Sequence, residues 1–309
     1  MTTGSLAPGY LLECDDAALA LALRIWLDDS RLEWPAPFTI RASVVDALPE
    51  PDDPREAFPQ PEMLIQAGPP DGTVRIRWMP GLAEAIVHAT EPVATVRFTP
   101  EAVADLEAAE RGFLLVMLLF VLRRIGWYHV HGAALVDPGG RGWMLVGNSK
   151  TGKSTTTALL ASRGWSVGTD DIAFLRDQGS RVGVLGFRSP IALRAGGREL
   201  LGAAGGIDLG RRQKTGYLAE DLGTTWAPVV VPEIMLFPVV GERTTIEPMA
   251  PRAVLSALIQ WSLWVLFEEV HAQEHLDLLG RLAGQSRCYQ ATLGPDLFRN
   301  PTLLQDLLP

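Results

Sequence analysis

The octapeptide Gly147-Asn148-Ser149-Lys150-Thr151-Gly152-Lys153-Ser154 constrains the fold of this chain more than any other feature of its sequence. It follows the pattern GxxxxGK[ST], with apolar residues 143–146 before it and helix-forming residues after it. The glycines let successive backbone N–H groups face one concavity, and the helix N-terminus adds partial positive charge there. The sequence therefore predicts a strand, a phosphate-binding loop and a helix in direct succession.

The loop also supplies two side chains suited to a nucleoside triphosphate with Mg²⁺. Lys153 can reach the β- and γ-phosphates, and the Ser154 hydroxyl can hold the metal ion. We predict a nucleoside triphosphate and Mg²⁺ as the bound species. The predicted nucleotide-binding residues are Gly147, Asn148, Ser149, Lys150, Thr151, Gly152, Lys153, Ser154 and Thr155.

A pair of carboxylates, Asp170 and Asp171, follows the loop after a short interval. Asp170 lies 170 − 153 = 17 residues beyond Lys153. Neighbouring side chains at the end of a strand point in different directions. One carboxylate could therefore face Mg²⁺ while the other accepts a proton from an attacking hydroxyl. The residues alone are equally compatible with an ordinary Walker B acid or with a turn of solvated charges.

His131 is the third candidate position, just before the predicted strand 133–136. A histidine beside a glycine in a loop is more often structural than catalytic. His129 and His131 have the i, i+2 spacing of some metal ligands, but no Cys, Asp or Glu lies near them in sequence. From its sequence context alone, His131 is therefore expected to be structural.

Composition narrows the classes of protein. The formal net charge is −9, which disfavours nucleic-acid binding because phosphate backbones require a basic face. Cys14 and Cys288 form no metal or disulfide pattern, and no signal peptide begins the chain. Residues 113–122 are apolar but too few to cross a bilayer of about 30 Å, so we expect a buried helix there. We predict a cytoplasmic protein without membrane or nucleic-acid partners.

The positions of the predicted elements suggest two regions. Residues 1–105 contain strand-like alternation over 73–78 and 93–98, and we expect a smaller α+β domain there. Two roles stay open for it: substrate or partner recognition, or a packing subdomain that completes the core. Thr99 and Pro100 are typical of the start of a helix, with Thr99 as the N-cap and Pro100 at the first helical position. Residues 106–309 alternate strands and helices around the loop and form the predicted catalytic domain. The expected fold class is α/β.

The combination of motifs resembles the catalytic domain of HPr kinase/phosphorylase, and more closely the HPr-kinase-related enzymes of bacterial peptide-modification gene clusters. The resemblance covers residues 128–300. Its motifs are His131-Gly132-Ala133-Ala134-Leu135, the octapeptide, Arg163-Gly164 and Asp170-Asp171. It implies a P-loop-containing, HPr kinase-like core with a mixed β-sheet and flanking helices.

The resemblance also implies roles for individual residues. Lys153 binds and polarises the phosphates, Ser154 coordinates Mg²⁺, and Asp170 helps to hold the metal. Asp171 is the catalytic base, with His131 beside it in a supporting role. The implied activity is ATP-dependent transfer of the γ-phosphoryl group to a hydroxyl, a serine of a peptide or small protein. The related enzymes form oligomers, so a homo-oligomer is compatible with the resemblance.

The chain departs from the family pattern in two places. Lys150 stands where the family commonly has glycine, and residues 183–190 lack the glutamate that follows the acid pair in the family. Further along the chain, Arg188, Arg194 and Lys214 are candidates to meet a phosphate or a substrate carboxylate. Two alternatives stay open: a non-catalytic nucleotide-binding scaffold, which the missing glutamate favours, and a carboxykinase-like enzyme.

Overall fold

The computed structural model describes residues 9–29, 37–49, 58–60, 63–67, 72–78, 81–210, 213–265 and 267–308. The chain divides into two compact units, which are described separately. Unit 1 comprises Met1–Tyr128 and Trp264–Glu274, and unit 2 comprises His129–Leu263 and His275–Pro309. The chain therefore returns to unit 1 for one short segment before it completes unit 2.

Unit 1 is built on a sheet whose seven described strands have the order β1-β2-β7-β6-β5-β4-β3. The pairs β1–β2 and β2–β7 are parallel, and the remaining pairs are antiparallel. The strands are β1 (Tyr10–Cys14), β2 (Phe38–Val44), β3 (Phe58–Gln60), β4 (Met63–Ala67), β5 (Val74–Trp78), β6 (Ala83–Val87) and β7 (Val93–Phe98). Helix α1 (Ala17–Asp29) connects β1 to β2.

A broken helical segment completes the core of unit 1. It consists of α2 (Pro100–Ala104), α3 (Leu106–Ala109), a π-helical turn (Glu110–Leu114) and α4 (Leu115–Arg123). Thr99 caps α2 by accepting a hydrogen bond from Ala102 N at 3.3 Å. The buried ring of Phe113 stacks on Trp78 at 6.4 Å and meets Phe98 edge-on at 6.1 Å.

These aromatic contacts explain a difference from the expected domain boundary. The sequence placed the helical segment after residue 105 with the second domain, whereas in the structure it packs on the sheet of unit 1. The apolar residues 116–122 are buried there, as expected for an internal helix. None of the described helices is long and apolar enough to cross a membrane.

A buried ion cluster ties the returning segment into unit 1. Arg123 Nε donates to Glu268 Oε2 at 2.9 Å, and both side chains are almost fully buried. Arg124 Nη1 donates to the same oxygen at 2.8 Å. Nearby, the hydroxyl of Tyr128 donates to Glu274. The two arginines at the end of α4 thus share one carboxylate from the segment 264–274.

Unit 2 contains a larger mixed sheet with the described order β12-β11-β8-β9-β16-β18-β17, and β10 also pairs with β8. The strands β9, β16 and β18 run parallel, while β8 is antiparallel to β9. The strands are β8 (Tyr128–Val136), β9 (Gly142–Val146), β10 (Ser166–Thr169), β11 (Ile172–Asp177), β12 (Val182–Gly186), β16 (Pro232–Val240), β17 (Thr245–Pro248) and β18 (Arg287–Leu293).

Helices and a small second sheet surround this larger sheet. The small sheet has the order β13-β15-β14, with strands β13 (Ile191–Arg194), β14 (Ile207–Asp208) and β15 (Lys214–Tyr217). One core joins α5 to β9 and β13 through buried residues that include Leu160, Trp143 and Leu193. The helices are α5 (Lys153–Ala161), α6 (Ala195–Leu201), α7 (Pro251–Gln260), α8 (Ala272–Gln285), α9 (Asp296–Arg299) and α10 (Leu303–Asp306). The architecture is mixed α/β.

Candidate functional site

The glycine loop (residues 147–152) joins β9 to α5 in unit 2. β9 ends at Val146 and α5 begins at Lys153, so strand, loop and helix follow each other directly. Gly152 has φ +95° and Lys150 has φ +72°, both in the left-handed region. Such turns direct successive backbone N–H groups into one concavity, which is the geometry of an anion-binding nest. A non-glycine residue in this conformation is strained, and strain of this kind concentrates at functional sites.

The start of α5 adds free hydrogen-bond donors to this concavity. The first N–H groups of a helix have no partner within the helix, and no side chain in the described part of the chain caps the N-terminus at Gly152. The loop itself is closed by Thr151, whose hydroxyl donates to Asn148 O at 2.9 Å. Asn148, Ser149 and Lys150 are exposed. The loop and helix start can therefore accept a phosphate group from solvent.

The side chain of Lys153 is buried beneath the loop. Its Nζ donates to Gly147 O at 2.6 Å and to Asn148 O at 2.8 Å, and it lies 3.1 Å from His131 Nε2. An ammonium group has three donors, and these three partners use all of them. Burial lowers the pKa of Lys153, while the carboxylates of Asp171 and Asp170 oppose that shift.

His131 connects this ammonium group to a carboxylate. Its Nδ1 lies 3.3 Å from Asp171 Oδ1. Because Lys153 donates to Nε2, that nitrogen must be an acceptor, so the neutral ring carries its proton on Nδ1 and donates it to Asp171. Burial lowers the pKa of His131, Asp171 opposes the shift, and Lys153 reinforces it. We call Lys153, His131 and Asp171 the Lys–His–Asp row.

Backbone hydrogen bonds hold the row in position. His131 lies within β8, not in a loop before it as the sequence suggested, and its N–H donates to Trp261 O at 2.8 Å. The next residue, Gly132, donates to Asp171 O at 3.2 Å. β8 therefore carries the histidine between the strand that leads into the loop and the strand that follows the acid pair.

The two neighbouring aspartates have different environments. Asp170 is buried, and burial raises its pKa to about 6, with the charge of Asp171 adding to the effect. The side chain of Ser154 and the N–H of Ala192 hydrogen-bond to its carboxylate. The side chain of Asp171, by contrast, is 59% exposed. One carboxylate thus faces the start of α5, and the other faces His131 and solvent.

These residues fit a magnesium ion bound together with phosphates. Asp170 Oδ1 is buried and lacks a hydrogen-bond partner in the described part of the chain. With the Ser154 hydroxyl it provides the oxygen ligands that Mg²⁺ prefers. No group of three or more His, Cys, Asp or Glu among the described residues could hold a metal ion. Mg²⁺ usually takes one or two carboxylates and completes its shell with phosphate oxygens and water.

The structure brings the glycine loop, Lys153, Ser154, His131, Asp170 and Asp171 to one end of β9 and α5, and adds a neighbour that the sequence did not identify. The Ala192 N–H that reaches Asp170 is a backbone group, for which a sequence carries no signal. Lys214 was one of three basic candidates, and its charge acts on both Lys153 and His131. Of these three basic candidates, only Lys214 is among the charges that shift the pKa values of Lys153 and His131 in the described part of the chain.

No family model matches this chain, and no curated protein matches its sequence. Among solved structures, the chain is similar to the Hpr(Ser) kinase/phosphatase from Coxiella burnetii, with 12% sequence identity and a TM-score of 0.27. That alignment covers 58% of this chain and 98% of the other. A TM-score at this level does not establish a common fold or activity. The function of this chain is therefore inferred from its own site.

Proposed function

We propose that this chain is a kinase that binds ATP with Mg²⁺ at the glycine loop and transfers the γ-phosphoryl group to a hydroxyl. The acceptor in this proposal is a serine of a peptide or small protein. The observation that carries the proposal is the Lys–His–Asp row, which runs from the loop to an exposed carboxylate. A phosphate-binding group and a proton acceptor are thereby held at opposite ends of one histidine.

Binding follows from the donors around the loop. The N–H groups at the start of α5 and the Lys153 ammonium would contact the β- and γ-phosphates. Phosphate oxygens would replace the carbonyls of Gly147 and Asn148 as partners of Lys153. Ser154 and Asp170 would hold Mg²⁺, which neutralises phosphate charge.

Transfer requires one bond to form and one to break at the γ-phosphorus. The acceptor oxygen forms a new P–O bond, the bond to the bridging oxygen of the β-phosphate breaks, and ADP leaves with that electron pair. Asp171 accepts the hydroxyl proton, since its carboxylate is exposed next to the loop. His131 acts as a positioning residue, because its Nδ1–H orients that carboxylate.

In this proposal unit 2 is the catalytic unit, with a P-loop core of the HPr kinase type. Unit 1, which includes the whole predicted 1–105 domain, would serve substrate or partner recognition. Residues 183–190 contain no carboxylate that could serve as a further ligand to the metal ion. That observation favours the second candidate function, a scaffold that binds nucleotide without transferring phosphate.

A labelling experiment separates these two functions. The protein is incubated with ATP labelled at the γ-phosphate, Mg²⁺ and serine-containing peptides encoded by neighbouring genes. We expect label on a serine, loss of that label in Asp171→Asn, and nearly unchanged ATP affinity in that variant. A matched control is Asp177→Asn, at the exposed far end of β11, the strand that begins directly after Asp171.

The control variant should transfer label as the wild type does. Transfer that persists in Asp171→Asn would reject Asp171 as the base. ATP binding without transfer to any peptide would support the scaffold instead.

A further inference from the structure

The two faces of the seven-stranded sheet in unit 1 differ in how deeply their side chains are buried. Ile76 and Trp78 of β5 lie on the buried face, where Phe113 of the helical segment packs. Successive side chains of a strand point to opposite faces, so the residues between them belong to the second face. On that face the side chains of β1, β2, β4 and β7 are all half-buried or exposed. The second face is therefore accessible.

Three arginines meet around one carboxylate on this accessible face. Glu84 of β6 pairs with Arg77 of β5 on one side and with Arg97 of β7 on the other. Arg77 Nε donates to Glu84 Oε1 at 3.0 Å, and its Nη2 lies 2.8 Å from the same oxygen. Arg75 Nη1 is 3.5 Å from Oε1, and Arg97 Nη1 is 3.5 Å from Oε2. We call these four residues the arginine cluster.

The arginine cluster has more positive than negative charge. Arg77 and Glu84 are buried and neutralise each other, and Arg77 Nη2 also donates to Pro49 O at 2.8 Å. The side chains of Arg75 and Arg97 are 28% and 40% exposed, and among the described residues Glu84 is the one acid that pairs with either of them. Three guanidinium groups thus share a single carboxylate. Two positive charges remain at the accessible surface.

The chemistry of these charges indicates the kind of partner they fit. A guanidinium group matches the geometry of a carboxylate, with which it forms paired hydrogen bonds. The whole chain has a formal net charge of −9, which disfavours a long polyanion such as nucleic acid. A short acidic segment needs only a local excess of positive charge, and the arginine cluster provides it.

We propose that the arginine cluster binds an acidic segment of a peptide or protein partner, whose carboxylates pair with Arg75 and Arg97. Such a contact gives unit 1 a recognition surface of its own on the sheet. The inference does not depend on ATP binding at the glycine loop, and its failure would leave that proposal untouched.

Fluorescence anisotropy with a labelled peptide tests the inference on the full chain. The probe is a short peptide of alternating Glu and Ser, and the same peptide with Gln in place of Glu is the comparison. We expect only the Glu peptide to bind, and its binding to weaken with added salt. The variant Arg75→Gln/Arg97→Gln should bind it about 5-fold to 30-fold more weakly, as for the loss of two partly exposed ion pairs.

Two further variants serve as controls. Arg75→Lys/Arg97→Lys keeps both charges and should retain most of the binding. Arg24→Gln/Arg252→Gln removes two charges from exposed positions on α1 and α7, and it should bind as the wild type does. Denaturant unfolding checks that the double variant at the arginine cluster still folds, which we expect because the buried pair of Arg77 with Glu84 remains.

Four outcomes would overturn the inference. The first is a wild type that does not bind the Glu peptide. The second is equal weakening in the two Arg→Gln double variants, which would make net charge the cause. The third is tighter binding of a DNA duplex, lost in Arg75→Gln/Arg97→Gln, which would assign the cluster to nucleic acid. The fourth is peptide binding only after the acidic residues at 50, 52, 53 and 56 are changed to amides, which would make the chain's own acidic segment the ligand.

Discussion

The ammonium nitrogen of Lys153 lies 3.1 Å from Nε2 of His131, so the lysine under the loop and the histidine on β8 share a hydrogen bond. This contact makes the protonation of the histidine depend on the lysine. A protonated imidazole ring would place a second positive charge directly against the ammonium group. Lys153 therefore favours the neutral ring with its proton on Nδ1, whereas the carboxylate of Asp171 favours the protonated ring.

Lys153→Met should raise the pKa of His131. The substitution removes a cation that lowers this pKa, while Asp171, which raises it, remains. NMR titration of the ring provides the measurement. Lys150→Met removes an exposed charge from the same loop and should leave the titration unchanged. Equal shifts in the two variants would mean that net charge, and not the contact, sets the pKa.

Asp170 should make the stability of the protein fall as the pH rises from about 4 to about 6. Its folded-state pKa, about 6, lies above the unfolded value of 3.8, so the folded state binds the proton more tightly. This stabilisation is complete below the unfolded pKa and is lost as the pH passes the folded pKa. In Asp170→Asn the dependence disappears, so between pH 4 and 7 the variant should gain about 3 kcal/mol relative to the wild type.

Denaturant unfolding with a metal chelator present measures this difference. Asp177→Asn provides a contrast, because Arg281 lowers the pKa of Asp177 to about 2. The stabilisation from Asp177 is present at neutral pH and is lost as the pH falls. As the pH rises, the free energy of unfolding of Asp170→Asn should therefore increase relative to the wild type. That of Asp177→Asn should decrease relative to the wild type. Parallel trends would contradict the environment assigned to Asp170.

Lys150 should tolerate glycine better than a β-branched residue. Its φ of +72° is readily adopted by glycine and is strongly disfavoured by valine. We expect the free energy of unfolding of Lys150→Val to be about 1–2 kcal/mol lower than that of Lys150→Gly. Both variants lose the same exposed charge, so their difference isolates the backbone conformation. Equal stabilities would show that the loop does not hold residue 150 in the left-handed region.

Glu268→Ala should destabilise unit 1 by about 3–5 kcal/mol, because it leaves Arg123 buried without its carboxylate. The double variant Arg123→Met/Glu268→Leu replaces the pair by apolar side chains and should be more stable than Glu268→Ala. Denaturant unfolding of the wild type, Glu268→Ala and the double variant tests this. A double variant less stable than Glu268→Ala would show that the uncompensated charge of Arg123 is not what destabilises the single variant.

Local features of the site could be predicted from the sequence because their geometry depends on neighbouring residues. The octapeptide, the strand before it and the helix after it are contiguous, and the structure forms them at the expected residues. Asp170 and Asp171 lie in the bend between β10 and β11, and neighbouring side chains at the end of a strand point in different directions. That the two carboxylates face different ways could therefore be predicted locally, whereas their partners Ser154, Ala192 and His131 come from distant segments.

The remaining features depend on pairing between distant segments. His131 joins Lys153 and Asp171 only because β8 lies between β9 and β11, and no local pattern specifies that order. The helical segment beyond residue 105 belongs to unit 1 because Phe113 packs on Trp78, a contact across many residues. The proximity of Lys214 to the row requires the placement of a whole second sheet.

The carboxylate that neutralises Arg123 comes from a segment much further along the chain. During synthesis from the N-terminus, unit 1 is therefore incomplete when its own strands and α4 have already left the ribosome. Its buried arginines stay without their counter-charge until Glu268 has been translated, by which point most of unit 2 has emerged. The buried ion cluster of the N-terminal unit can therefore form only after most of unit 2 has been synthesised.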